Sequence, residues 1–135
     1  MSGRETGDKK FKKNDPRSEH TLAHSDPRLH FVLALHNKSC PRVQILHPQT
    51  LEQQLRHAVA LYCEEHVVIS AESHEITLPK LFYWYSSDFG DNVLQWVAQH
   101  LSADKSKQLT RIIESGKYSV TFDYSWEALI LSPLM

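Results

Sequence analysis

The chain has 135 residues, of which 41% are hydrophobic and 23% charged, and its formal net charge is −1. This length suffices for one domain with a hydrophobic core and is too short for two domains. The nearly neutral charge argues against a nucleic-acid partner or an anionic membrane surface, and no apolar run approaches the ~20 residues of a membrane helix.

The cysteines and histidines indicate neither a disulfide scaffold nor a metal site. The two cysteines, Cys40 and Cys63, are too few for a disulfide framework, and the chain carries no secretory signal. We therefore expect reduced thiols and a cytoplasmic location. The nine histidines are scattered and match no zinc motif, so we predict no metal and no cofactor.

The first part of the sequence differs in composition from the rest. Residues 1–25 are rich in Gly, Ser, Lys, Asp and Arg and contain few apolar side chains. Such a segment cannot bury enough surface to offset its ordering entropy. We therefore predict a mostly disordered charged tail over 1–25, followed by a single domain over 26–132.

The stretch after this tail has the alternation typical of a strand. Large apolar residues stand at positions 29, 31, 33 and 35, and smaller or polar ones stand between them. This period of two predicts a central strand at 28–35 with one fully buried face. Asp26 and Pro27 form a turn signal before it, and we expect Asp26 and Arg28 to lock that turn by a charge-assisted hydrogen bond.

The remaining patterns predict an α+β domain. A helix begins at Thr50, where Thr50 and Gln53 fit a capping box. Three further helices follow, at about 80–86, from Asp91 and from Ser102 to Gly116. Alternating residues predict a hairpin near 67–78 and a C-terminal strand near 117–124. Together these elements predict a small mixed sheet with four helices packed on it.

Four blocks of this sequence, at 26–41, 48–55, 78–90 and 122–126, resemble in their order those of the domain of unknown function 547 family. Residues 26–31 with 38–41 are similar to its D-P-R-[IL]-H-F-A-L…S-C-P signature, and residues 48–55 to its next helix start. Residues 78–90 are similar to L-S-K-I-F-x-W-Y…D-F-G, and 122–126 to Y-D-W-S-L-N. The resemblance covers about Phe11 to Leu131.

This resemblance has three departures. The family usually has cysteine and glycine where this chain has Leu35 and His36, and Asp and Asn where it has Ser125 and Ile130. The chain also starts after the N-x-Y-N and E-H-x-I-L-R stretches with which the family domain begins. It therefore resembles only the later half of that domain.

The first functional hypothesis is a non-catalytic protein-interaction module. The uncovered apolar face of a half domain would bind a protein partner or a second copy of the chain. Aromatic residues between the hairpin and the third helix supply the predicted surface. They are Phe82, Trp84, Tyr85, Phe89 and Trp96. Aromatic residues at helical spacing more often belong to a core, so a core position is the alternative for the same five residues.

The alternative is a cysteine-dependent hydrolase or transferase. A cysteine and a histidine recur in the family, which makes a papain-like or transglutaminase-like relation conceivable. Cys40 would be the nucleophile, with His30 or His36 as its base. A strand at 28–35 would place His30 and Cys40 at opposite ends. Against this stands a purely architectural interpretation, in which His30 is a hydrogen-bonded core residue and Cys40 occupies a tight turn.

Overall fold

Three strands form one mixed sheet in this computed structural model, which describes residues 12, 14–33 and 37–127. Strand β1 (Val68–Ser70) pairs antiparallel with β2 (Glu75–Pro79), and β2 pairs parallel with β3 (Ser119–Asp123). The predicted hairpin and C-terminal strand are confirmed. The turn between β1 and β2 ends at His74, which has a φ of 54° and whose carbonyl accepts the Ser119 amide.

Four α-helices accompany the sheet in the described residues, which confirms the predicted α+β class. Their bounds are α1 Leu51–His66, α2 Lys80–Trp84, α3 Val93–Ala98 and α4 Ala103–Ser115. Helix α4 ends at Gly116 with a φ of 71°, the left-handed stop that the sequence predicted. Short 3-10 helices span Pro16–His20, Pro27–Phe31, Pro48–Thr50 and Ser86–Phe89. Among the helices described, none is long and apolar enough to cross a membrane.

The predicted central strand at 28–35 is wrong over the described residues, because Pro27–Phe31 is a 3-10 helix. The Asp26 carboxylate accepts the Arg28 amide, and Pro27 fixes φ at the first helical position. These two local constraints override the alternation that follows. Of the apolar residues in that alternation, Phe31 is 1% exposed but Leu33 is 65% exposed. Positions 34 and 35 lie outside the described residues.

Phe31 nevertheless lies at the centre of the core. Its ring packs edge-on against Tyr62 of α1 at 5.3 Å and stacks on Trp96 of α3 at 5.7 Å. Phe82 of α2 and Phe89 lie within 5.7 and 6.2 Å of it. A 3-10 turn, and not the predicted strand, thus places the Phe31 side chain in the core.

The predicted capping box at Thr50 is also wrong. The Thr50 side chain makes no cap hydrogen bond to the helix amides. Gln54 fixes this end of α1 instead, since its side-chain oxygen accepts the His47 amide and its NH2 donates to the Ile45 carbonyl, both at 2.8 Å. The 3-10 turn at Pro48–Thr50 puts the incoming chain within reach of position 54.

The predicted tail contains one structured turn. Pro16–His20 forms a 3-10 helix that the Asp15 carboxylate caps, and it has no buried residue. One short turn without a buried residue is compatible with a mostly disordered tail, so disorder over 1–25 stays a prediction. Residues 1–11 and 13 lie outside the described residues.

Candidate functional site

Cys40 lies in a tight buried turn. Its thiol donates to the Asn37 carbonyl at 3.1 Å, with the Pro41 carbonyl oxygen at 3.4 Å. The Asn37 side-chain oxygen accepts the Ser39 amide at 3.1 Å. In the described residues no imidazole contacts the sulfur, and His36 lies outside them. The turn thus uses its own backbone to satisfy this thiol.

Two other parts of the chain hold this turn in place. The Tyr62 hydroxyl, from α1, donates to the Ser39 carbonyl at 2.5 Å. The Ser39 hydroxyl accepts the Ser125 amide at 2.7 Å, from the segment after β3. Burial raises the pKa of Tyr62, so the phenol stays neutral and remains a donor. The Cys40 turn is therefore a structural junction between α1 and the C-terminal segment.

The second cysteine, Cys63, is fully buried on α1. Burial raises the pKa of its thiol to about 12, mainly because the thiolate would lose its hydration. A raised pKa means that the reactive thiolate is scarce at neutral pH.

We expect both thiols to react slowly with iodoacetamide in the native chain. Each is buried, and the thiolate is the nucleophile that the reagent requires. The measurement is the rate of labelling at each cysteine, read by peptide mass spectrometry, with the urea-unfolded chain as the control that labels both rapidly. Native labelling of Cys40 much faster than Cys63 would contradict this expectation and favour the nucleophile hypothesis.

His30 makes its main polar contact with Asp88, not with Cys40. Its Nε2 lies 2.8 Å from the Asp88 carboxylate, 58 positions further along the chain. The ring stacks on Tyr85 at 4.0 Å between centroids. The Ser25 hydroxyl lies 3.5 Å from the other Asp88 oxygen, at the limit of a hydrogen bond. The structure thus joins His30 to the D-F-G block of the sequence.

This pair orients an imidazole, and the Cys40 thiol does not take part in it, because that thiol hydrogen-bonds to carbonyls of its own turn. Asp88 fixes the ring by one nitrogen, as carboxylates do for catalytic and structural histidines alike. Asp88 is a site residue that was not among those predicted from the sequence. A signal was available, since His30 and Asp88 are polar residues in two of the blocks that carry the family resemblance.

Asp26 and Arg28 contact each other by two parallel hydrogen bonds. Arg28 Nε donates to one Asp26 oxygen at 3.0 Å and Nη2 to the other at 2.8 Å. Its Nη1 reaches Glu52 of α1 at 2.8 Å. The Arg28 guanidinium holds the pKa of Asp26 below its ordinary value through these hydrogen bonds. The contact therefore ties the Pro27–Phe31 turn to α1.

A polar cleft of about 440 Å³ opens beside this network. Its lining residues are Arg28, Glu52, Arg56, Ala60, Gln99 and His100. Both arginines contact the same Glu52 oxygen, at 2.8 and 3.1 Å. The two guanidinium charges are balanced only when Asp26, which pairs with Arg28 outside the lining, is counted together with Glu52. No group of three or more metal-ligating side chains occurs among the residues that the structure describes.

The aromatic residues predicted as an interface divide into core and surface. Phe82 and Phe89 are buried, so these two cannot form a binding surface and that part of the prediction is corrected. Their large rings fill the space between α2, α3 and the Pro27–Phe31 turn. Trp96 is half-buried against the same core, whereas Trp84 and Tyr85 remain exposed.

Trp84 belongs to an exposed cluster that the sequence analysis did not assemble. Its ring lies 4.9 Å from Tyr124 and 5.8 Å from Trp126, and those two rings are 4.9 Å apart. Trp126 is 68% exposed and Trp84 38% exposed. We call these three residues the aromatic surface. Tyr83 and Phe122 adjoin it as a second ring pair at 5.4 Å.

Residues 2–63, slightly less than half of the chain, match the family model described as "Protein of unknown function, DUF547". This match confirms the family resemblance, and it includes the blocks at 26–41 and 48–55. The blocks at 78–90 and 122–126 lie beyond it, so their resemblance stays a prediction. No curated protein and no solved structure matches the chain.

Proposed function

We propose that this chain, which carries a partial DUF547 family domain over residues 2–63, is a non-catalytic protein-interaction module. The observation that carries the proposal is the aromatic surface. Trp and Tyr are enriched at protein interfaces and at the positions that dominate binding energy. Three such rings in contact, with Trp126 68% exposed, favour a surface that another protein covers.

The packing within the aromatic surface indicates the kind of ligand that it fits. Centroid distances of 4.9 and 5.8 Å mean that the rings touch one another and leave no gap for a small cation between them. The rings are also held by their neighbours, so little side-chain freedom is lost on binding. Their outer faces therefore suit a broad macromolecular partner.

The rim of this surface is polar, as expected for an interface. Lys38 and Glu127 form an ion pair at 2.7 Å next to Trp126 in the chain, and the Lys38 amide donates to the Glu127 carbonyl at 3.0 Å. A polar rim around an aromatic centre is the usual anatomy of a protein interface. The net charge of −1 further favours a protein over a nucleic acid.

Two features argue against the Cys40 hydrolase or transferase as the better proposal. The Cys40 thiol is buried and donates to its own turn, and His30 is bound to Asp88. A nucleophile needs a base within hydrogen-bond reach and access to a substrate.

We also propose a cytoplasmic location, which the two free thiols support.

Photo-crosslinking from position 126 tests this function. The chain carrying p-benzoylphenylalanine in place of Trp126 is added to an extract of its source cells and irradiated. We expect discrete adducts, which excess unlabelled wild-type chain suppresses and excess Trp84→Ser chain does not. The matched control carries the same crosslinker in place of Gln108, an exposed residue of α4. Equal adduct yields from positions 126 and 108 would overturn the proposal.

A further inference from the structure

Strand β3 is an edge strand whose outer side pairs with none of the described residues. The Ser119 amide donates inward, to the His74 carbonyl at the start of β2. Because successive residues of a strand point their N–H and C=O groups to opposite sides, Thr121 also faces β2. Val120 and Phe122 therefore direct their N–H and C=O groups outward, where a further strand would bind.

This edge has little of the protection that sheet edges normally have, because its one charged residue is Asp123, at the end of the strand. Residues 119–123 contain no Lys, no Pro and no bulge, and their pairing with β2 is regular over all five positions. The opposite edge, strand β1, is better protected. It has only three residues, and the Lys105 Nζ donates to the Val67 carbonyl just before it at 3.2 Å. The unprotected edge is thus confined to β3.

We infer that β3 pairs antiparallel with β3 of a second copy of this chain, about a two-fold axis at Thr121. In this register Val120 lies opposite Phe122 of the other copy, and Phe122 opposite its Val120. These are the two outward-facing residues, so each pair exchanges both of its N–H···O=C bonds. Thr121 meets its own counterpart as the non-hydrogen-bonded pair, where side chains approach most closely.

The sequence of the strand is complementary to itself in this register. Between Lys117 and Ser125 the charged residues are Lys117 and Asp123. Asp123 would lie opposite Ser119 of the second copy and diagonally next to its Lys117, so opposite charges approach and like charges do not. The Val120 and Phe122 pairs join a β-branched to an aromatic residue, a favourable cross-strand combination. This charge and side-chain matching selects a second copy as the partner.

The resulting assembly is closed. Two copies would form one six-stranded sheet whose outer edges are the short β1 strands. Because a two-fold interface uses the same patch on both copies, association stops at the dimer. This dimer rests on the proposed function, because it identifies a protein partner, a second copy of the chain. The contact is made by the β3 edge and not by the aromatic surface.

A charge swap at Thr121 tests this pairing. Thr121 is exposed and makes one side-chain hydrogen bond, to Thr77 at 3.1 Å, so charged residues fit there in the monomer. Sedimentation velocity is measured over a range of concentrations for wild type, Thr121→Lys, Thr121→Glu and an equimolar mixture of the two variants. We expect wild type to dimerise, and each variant alone to dissociate at least about tenfold more readily because like charges meet at the axis. The mixture should regain the dimer.

The control is Val68→Lys, which adds the same charge on the exposed opposite edge and should dimerise like wild type. A monomeric wild type, or dimers that persist in both variants alone, would overturn the inference. A monomeric wild type that still gives position-126 adducts refutes β3 pairing and leaves the proposed function standing. If each variant alone dissociates, the mixture regains the dimer and no position-126 adducts form, β3 pairing is supported. The proposed role of the aromatic surface as an interface is then refuted.

Discussion

Replacing Phe31 with alanine is expected to lower the free energy of unfolding by about 3–5 kcal/mol, whereas Leu33→Ala should change it by less than about 0.5 kcal/mol. Phe31 is buried and its ring contacts four aromatic neighbours, so its loss leaves a cavity that the other rings cannot fill. Leu33 is 65% exposed and loses little burial. The measurement is urea unfolding of each variant, followed by tryptophan fluorescence and circular dichroism.

This pair of variants also discriminates between the two structures considered for residues 28–33. A strand with its odd-numbered face buried requires both substitutions to be costly, because both side chains would lie in the core. The 3-10 turn requires only the first to be costly. Similar losses of several kcal/mol for Phe31→Ala and Leu33→Ala would contradict the turn and restore the strand.

The sequence predicts best those elements whose signal is local and spans several turns or a hairpin. Helix α1 shows this, since its buried residues repeat at helical spacing over sixteen residues. The hairpin shows it too, because two apolar runs flank a short polar turn. In both cases the pattern and the local turn residues indicate the same structure.

The segment at 26–31 shows where such reasoning fails. The apolar alternation there covers only a few residues, and the Asp26–Pro27 cap outweighs it. Asp26 and Pro27 are compatible with a turn before a strand, but Asp followed by Pro is equally a start signal for a helical turn. A short period-two pattern next to a strong cap is therefore weak evidence for a strand.

The contacts within the candidate site could not be predicted from residue spacing, for a different reason. His30 and Asp88 are 58 positions apart, and Ser39 and Ser125 are 86 apart, so no spacing rule brings them together. The aromatic surface likewise joins α2 to the segment after β3. These contacts depend on how the sheet packs against α2, which single-sequence patterns do not specify.

A fragment of residues 1–66 is expected not to fold, although it contains the whole segment that matches the family model. More than half of the buried apolar residues lie after Cys63, including those of β2, α3 and α4. Without them α1 loses the surface that its apolar face covers, and an isolated helix of sixteen residues is marginal in water. We expect weak helicity and no cooperative urea transition by circular dichroism.

The matched control is the chain of residues 26–135, which should unfold with a free energy within about 0.5 kcal/mol of the full chain. The described residues before Asp26 contain no buried side chain, and the Ser25 hydroxyl reaches the domain only by a long hydrogen bond to Asp88, at 3.5 Å. Phe31 and its aromatic neighbours are all retained. The core is formed jointly by α1 and the segment that follows it. A cooperative unfolding transition in the 1–66 fragment, or disorder in the 26–135 chain, would contradict this assignment of the folding unit.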